Sequence, residues 1–145
     1  MSGTGTLARR LAALGKRKMQ PEQALQRAVC RFLDVALIRG QALYFHPANG
    51  GLRSKAEAGI MTRLGVKPGV PDLCIIWSSA GQPAHVGFIE LKSARGKPSP
   101  AQVAFGAACQ AVQAPCEVAR SLDDVQAILA RWCVPVRLAL SVRAA

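Results

Sequence analysis

Two short runs, Pro71-Asp72 and Glu90-Leu91-Lys92, hold the residues of this chain best suited to chemistry. An aspartate, a glutamate and a lysine sit there inside segments that otherwise read as buried strands. Ionisable groups in such places are costly unless they are paired or hold a metal. Spacing narrows the choice. Asp72 lies nine residues before Gly81 and Glu90 nine after it. A hairpin turn over 78–82 would set the two carboxylates face to face, with Cβ atoms roughly 5 Å apart. Carboxylates that close repel each other unless a cation lies between them. Side chains alternate along a strand, so Glu90 and Lys92 share a face with each other and with Asp72. Two acids and an amine converging on one point have the layout of a divalent-metal hydrolytic site. Taken singly, the same residues also fit a turn-capping aspartate and a cross-strand salt bridge.

Glu22 is a further acid for this cluster. At roughly 100° per residue it falls on the inward stripe of a helix whose apolar positions are Leu25, Val29, Phe32, Leu33, Ala36 and Leu37. From that stripe its carboxylate can reach the sheet. Its alternative role is a first-turn acid that complements the helix dipole.

The elements that must position these groups follow from punctuation and periodicity. Pro21 suits the first position of the first helix and Gly40 stops the run. A short strand is expected at 43–45, then a turn-rich loop at 46–51. Ser54 and Glu57 form a capping box for a short helix ending near Gly65. Strands follow at 72–77 and 86–92, with a basic loop at 95–98. Ser99 and Gln102 form a second capping box, with Pro100 in the first helical position, for a helix to about Gln113. A strand at 115–119 and a last helix, capped at Ser121 and ending near Cys133, complete the order. That order predicts an α/β domain, a small mixed β-sheet flanked by helices. The expected organisation is a mobile basic tail over 1–20, a single domain over 21–133 and a C-terminal tail over 134–145.

Composition sets the outer bounds. The 145 residues suffice for one domain with an adequate core. No apolar run reaches the ~18 residues of a membrane span, and the charged N-terminus does not resemble a signal peptide, so a cytoplasmic protein without a membrane partner is expected. The net charge is +11, from 19 basic and 8 acidic residues. Five of the bases (Arg9, Arg10, Lys16, Arg17, Lys18) precede the first acid, Glu22, and what remains is still 14 basic against 8 acidic. Such an excess favours a polyanionic partner, nucleic acid above all. The five cysteines form no CxxC pair and are expected as reduced, buried thiols.

The residues also match a family. Glu22 with Gln26, then Gly65-Val-Lys-Pro-Gly-Val-Pro-Asp72, Phe88-Ile-Glu-Leu-Lys92, and Gly96 through Ser99 to Gln102, closely resemble the VRR-NUC domain of the PD-(D/E)XK nuclease superfamily. The resemblance runs from about residue 21 to 124. It implies a restriction-endonuclease-like core and a metal-dependent endonuclease, similar to the stand-alone phage and bacterial proteins that include Holliday-junction resolvases. It further implies Asp72, Glu90 and the Leu91 carbonyl as ligands of Mg²⁺ or Mn²⁺, with Glu22 as a further acid at the metal. Lys92 would orient the attacking water or neutralise the phosphate, and Gln102 would support the site from the following helix. The implied partner is DNA, branched in structure, and a homodimer would suit a two-fold junction.

Flanking loops are candidate DNA contacts. Asn49, Gly50, Gly51 and Arg53 could let backbone amides approach a phosphate, or form an ordinary tight turn. Lys67, Arg95 and Lys97 lie at the acid-bearing end of the hairpin and fit sequence-independent backbone contacts, or plain solvated charge. His46 fits a loop anchor better than a proton carrier, and Trp77 and Phe105 fit a core better than base-stacking platforms.

Overall fold

The computed structural model describes residues 20–48 and 55–137. The basic N-terminal tail, the loop residues Asn49, Gly50, Gly51 and Arg53, the cap Ser54 and the last eight residues therefore lie outside the described residues. Helix α1 spans Pro21–Ala36, with Pro21 in its first turn. Its buried residues Val29, Leu33 and Ala36 recur every three or four positions and form one stripe. Strand β1 (Ala42–Phe45) follows, then α2 (Lys55–Arg63), β2 (Leu73–Trp77), β3 (His85–Leu91), α3 (Pro100–Ala111), β4 (Cys116–Ala119) and α4 (Leu122–Arg131). None of the described helices is long and apolar enough to cross a membrane.

The strands form one mixed sheet in the order β1-β2-β3-β4. The first two pairings are antiparallel and the third is parallel. A parallel pair needs a long crossover, and α3 supplies it. Alternation divides the side chains between two faces. Leu73, Ile75, Trp77, Ile89, Leu91 and Ala119 point to one face, where they form a continuous core with Val29, Leu33 and Leu37 of the α1 segment and Val125, Ile128 and Leu129 of α4. Cys74, Phe88 and Glu90 point to the other face, which α3 covers; Phe105 meets Phe88 edge-on at 5.5 Å. Trp77 belongs to the core and Phe105 is half-buried.

Two details depart from expectation. Packing continues past Cys133: Val134 is buried, Val136 bridges to Leu37, and the Arg137 amide donates to the Ala36 carbonyl at 2.7 Å. The chain thus returns to the end of α1. The cysteines are all free, as expected, but only Cys74 and Cys109 are buried. Cys30 and Cys116 are half-buried, and Cys133 is exposed. Cys133 takes the left-handed residue that ends α4 (φ 55), a place that turns a side chain outward however apolar its neighbours in sequence.

Candidate active site

The β2–β3 register pairs Leu73 with Ile89 and Trp77 with His85. Continued by one residue, it sets Asp72 opposite Glu90, the opposition the sequence spacing predicts. Asp72 sits at the bend just before β2, and its Oδ2 accepts from the Leu91 amide at 2.8 Å. Glu90 is only 4 % exposed, the one charged residue in the described core. Its Oε1 receives Lys92 Nζ at 2.8 Å and Gln102 Nε2 at 2.5 Å. Its Oε2 is buried and has no protein partner.

Local chemistry fixes the supporting groups. Ser99 caps α3, its hydroxyl accepting from the Gln102 amide at 3.3 Å. The Gln102 side-chain oxygen accepts in turn from the Ser99 amide at 2.8 Å. This reciprocal cap determines which end of the Gln102 amide is left over: the NH₂ must face away from the cap, toward Glu90. Gly69 sets the approach of the 68–71 segment. It has φ +77, and a Cβ there would lie 2.2 Å from the Ala101 carbonyl oxygen. Only glycine lets the chain leading to Asp72 lie directly on the first turn of α3.

Electrostatics follow from burial. Desolvation raises the Glu90 carboxyl above its ordinary value; the hydrogen bond from Lys92 opposes this and the charge of Asp72 adds to it. For Lys92, desolvation pulls the ammonium down. The hydrogen bond and charge of Glu90, followed by the charges of Glu22 and Asp72, outweigh it and hold the group above its usual value. Glu22 is therefore close enough to act on Lys92. Its own Oε1 accepts from the Ser93 amide at 3.2 Å, just past the end of β3. The structure thus assembles Asp72, Glu90, Lys92 and Gln102, with Glu22 bound to the neighbouring turn. Among the described residues no group of three His, Cys, Asp or Glu stands ready to hold an ion by itself.

In front of Asp72 lies a cleft of ≈ 400 Å³ lined by Gln26, His46, Pro47, Gly69, Val70, Pro71, Asp72, Ser99 and Gln102. His46 is an anchor: its Nδ1 donates to the Asp72 carbonyl at 2.5 Å, which leaves Nε2 as the uncommitted nitrogen. Lys67, Arg95 and Lys97 are all exposed. One contributor was missed in the sequence. Arg120, at the end of β4, donates through Nη1 to the carbonyls of Ser93 at 2.7 Å and Gly96 at 2.6 Å. Its only sequence signal is a basic residue next to the Ser121 cap, too weak to single it out.

No family model matches this chain and no curated protein matches it. Among solved structures it is similar to one described as a VRR_NUC domain protein, with 26% identity and a TM-score of 0.62 over 79% of this chain and 89% of that one. Fold, motif order and this likeness together support a VRR-NUC domain with a restriction-endonuclease-like fold.

Proposed function

We propose that this domain is a divalent-metal-dependent endodeoxyribonuclease acting on branched DNA, four-way junctions included. Likeness to a VRR_NUC protein supports a nuclease domain. One observation carries the metal reading: the buried, unpartnered Oε2 of Glu90, beside a second carboxylate across the hairpin. An orphaned buried oxygen is a cost that a bound cation removes. The donor set fits a hard ion. Asp72, Glu90 and Glu22 outnumber Lys92, so the cluster carries excess negative charge inside a chain of net charge +11. Mg²⁺ needs only one or two carboxylates together with waters and substrate phosphate oxygens, a number that Asp72 and Glu90 supply.

Asp72, Glu90 and the Leu91 carbonyl would hold Mg²⁺ or Mn²⁺. When bound, such an ion lowers the pKa of a coordinated water and draws off charge in the transition state. The chain's own groups do the rest. Lys92, kept protonated by its acidic neighbours, stabilises negative charge developing on the phosphate. Gln102 fixes the Glu90 carboxylate, and His46 fixes the backbone at Asp72. Water attack on the phosphodiester leaves a 5′-phosphate and a 3′-hydroxyl. The exposed bases Lys67, Arg95 and Lys97, together with Asn49, Gly50 and Arg53, would contact DNA backbone without reading sequence. Two chains cutting opposite strands would match the two-fold character of a junction.

A second reading, a DNA-binding module without catalysis, draws on the absence of a three-ligand cluster among the described residues. One experiment separates the two. Pure protein and its Asp72→Ala variant are incubated with labelled four-way junction, flap, nicked, duplex and single-stranded DNA, with Mg²⁺, Mn²⁺ or EDTA. The enzyme cuts the branched substrates, needs the ion, and loses cleavage but not binding in the variant. Binding with no cutting under any metal condition establishes the second reading.

A further inference from the structure

Lys92 is followed at once by a turn that carries two of the candidate DNA contacts, Arg95 and Lys97. That turn is held from three sides. Its own Gly96 amide donates to the Ser93 carbonyl at 3.0 Å. From α1, the Glu22 carboxylate accepts the Ser93 amide at 3.2 Å. From the far end of β4, the Arg120 guanidinium spans the Ser93 and Gly96 carbonyls with a single nitrogen. The peptide groups of Ser93 are thus clamped between an acid and a base that lie 98 residues apart in sequence. Gly96 is needed for the fit: a Cβ there would come within 3.0 Å of Glu22 Oε1 and 2.9 Å of Ser93 Oγ.

Arg120 is itself held in place. Its backbone amide donates to Asp124 Oδ2 at 2.8 Å, while the Asp124 amide donates to the Ser121 hydroxyl at 3.1 Å. The cap of α4 therefore fixes the residue that fixes the turn. No carboxylate pairs with the guanidinium among the described residues. Its charge is spent on carbonyl oxygens, and the two hydrogens of one guanidinium nitrogen suffice for both.

We propose that Arg120 is a positioning residue for the site. By clamping the turn after Lys92 it sets where Glu22, Lys92 and the Arg95/Lys97 loop stand relative to one another. The catalytic part of this inference rests on the nuclease reading; the structural part does not.

The test uses Arg120→Gln and Arg120→Lys in the full chain. Amide hydrogen exchange at Ser93 and Gly96 should quicken about tenfold or more in both variants, with exchange in β2 and the thermal midpoint nearly unchanged. On a branched DNA substrate with Mn²⁺, kcat should fall roughly 10- to 100-fold while KM stays within about threefold, the scale seen when a supporting group of a metal site is lost. Asp124→Ala, which frees only the Arg120 backbone, should show a smaller change in the same direction. Unchanged exchange at Ser93 and Gly96 overturns the proposal whatever the activity. So does a defect confined to KM and salt dependence that Arg120→Lys repairs, because that is the signature of a phosphate contact. If the parent protein cuts no DNA, the nuclease reading fails and the exchange data alone decide the clamp.

Discussion

At one end of the β2–β3 hairpin stand Asp72, Glu90 and Lys92; at the other, five residues along β2, Trp77 stacks with both His85 and Trp132. Both ring pairs have centroids 5.5 Å apart, and the two indoles are within 7° of parallel. Gly87 makes room for them, since a Cβ there would come within 2.6 Å of the Trp132 ring. The Trp132 Nε1 hydrogen finds Glu117 Oε1 at 2.9 Å, and Arg131 pairs with the same carboxylate. Every polar atom named at that end has a partner. At the acidic end a buried oxygen has none, and two carboxylates oppose each other. The same pair of strands thus carries a satisfied end that stabilises the domain and an end where a buried polar atom lacks a protein partner, the place at which the proposed ion would bind.

That contrast predicts opposite responses to substitution. The largest effect is expected for Asp72→Asn, which keeps the shape and removes the charge. Metal-dependent cleavage should fall at least about 10²-fold. Thermal stability should hold or rise, because the Asp72 charge is one of the influences working against an ionised Glu90. Single-turnover assays and melting curves on the same samples check this; a lower midpoint with cleavage intact would dissolve the contrast. Trp132→Ala should behave in reverse, costing roughly 3 kcal/mol of stability while leaving the rate per folded molecule unchanged. Urea titration beside the cleavage assay measures both.

Gly69→Ala tests how tightly the acidic end is coupled to α3. With a left-handed φ and no room beside Ala101, the variant should lose about 2 kcal/mol and lose activity as well, since Gln102 rides on the displaced turn. Equal activity at reduced stability would show that the Glu90–Gln102 contact is dispensable. The smallest effect concerns the thiols between the two ends. Burial, then the neighbouring Cys109, pushes the Cys116 thiol up to about 11. Alkylation near pH 8 should label exposed Cys133 first and Cys116 late, as mass spectrometry of quenched samples would show. The sign of the linked stability follows. Between its ordinary value of 9.0 and about 11, the folded thiol keeps a proton that the unfolded one has lost, so stability declines as pH rises through that window.

Much of this was legible in the sequence. The Asp72–Glu90 opposition follows from counting outward from Gly81, and the register keeps that centre, because the connection over residues 78–84 places three residues on either side of Gly81. The Ser99–Gln102 cap was legible because its chemistry is local. What escaped was held by distant or backbone partners. Arg120 acts on carbonyls 24 and 27 residues away, and any residue type supplies a carbonyl. The helix period of Glu22 is legible, yet its hydrogen-bond partner is the amide of Ser93, 71 residues on. The needs of Gly69 and Gly87 are set by Ala101 and Trp132, and neither closeness leaves a trace in local pattern.

The parallel pairing of β3 with β4 has a consequence for the order of assembly. A ribosome that has released the chain only as far as Leu91 has delivered Glu22, Asp72 and Glu90 and both strands of the hairpin. The amide that steadies Glu90 arrives later, on the crossover, and the guanidinium that grips the following turn later still. Long-range pairings of this kind are the slow ones to form. A nascent fragment therefore holds the acids but not the groups that position them.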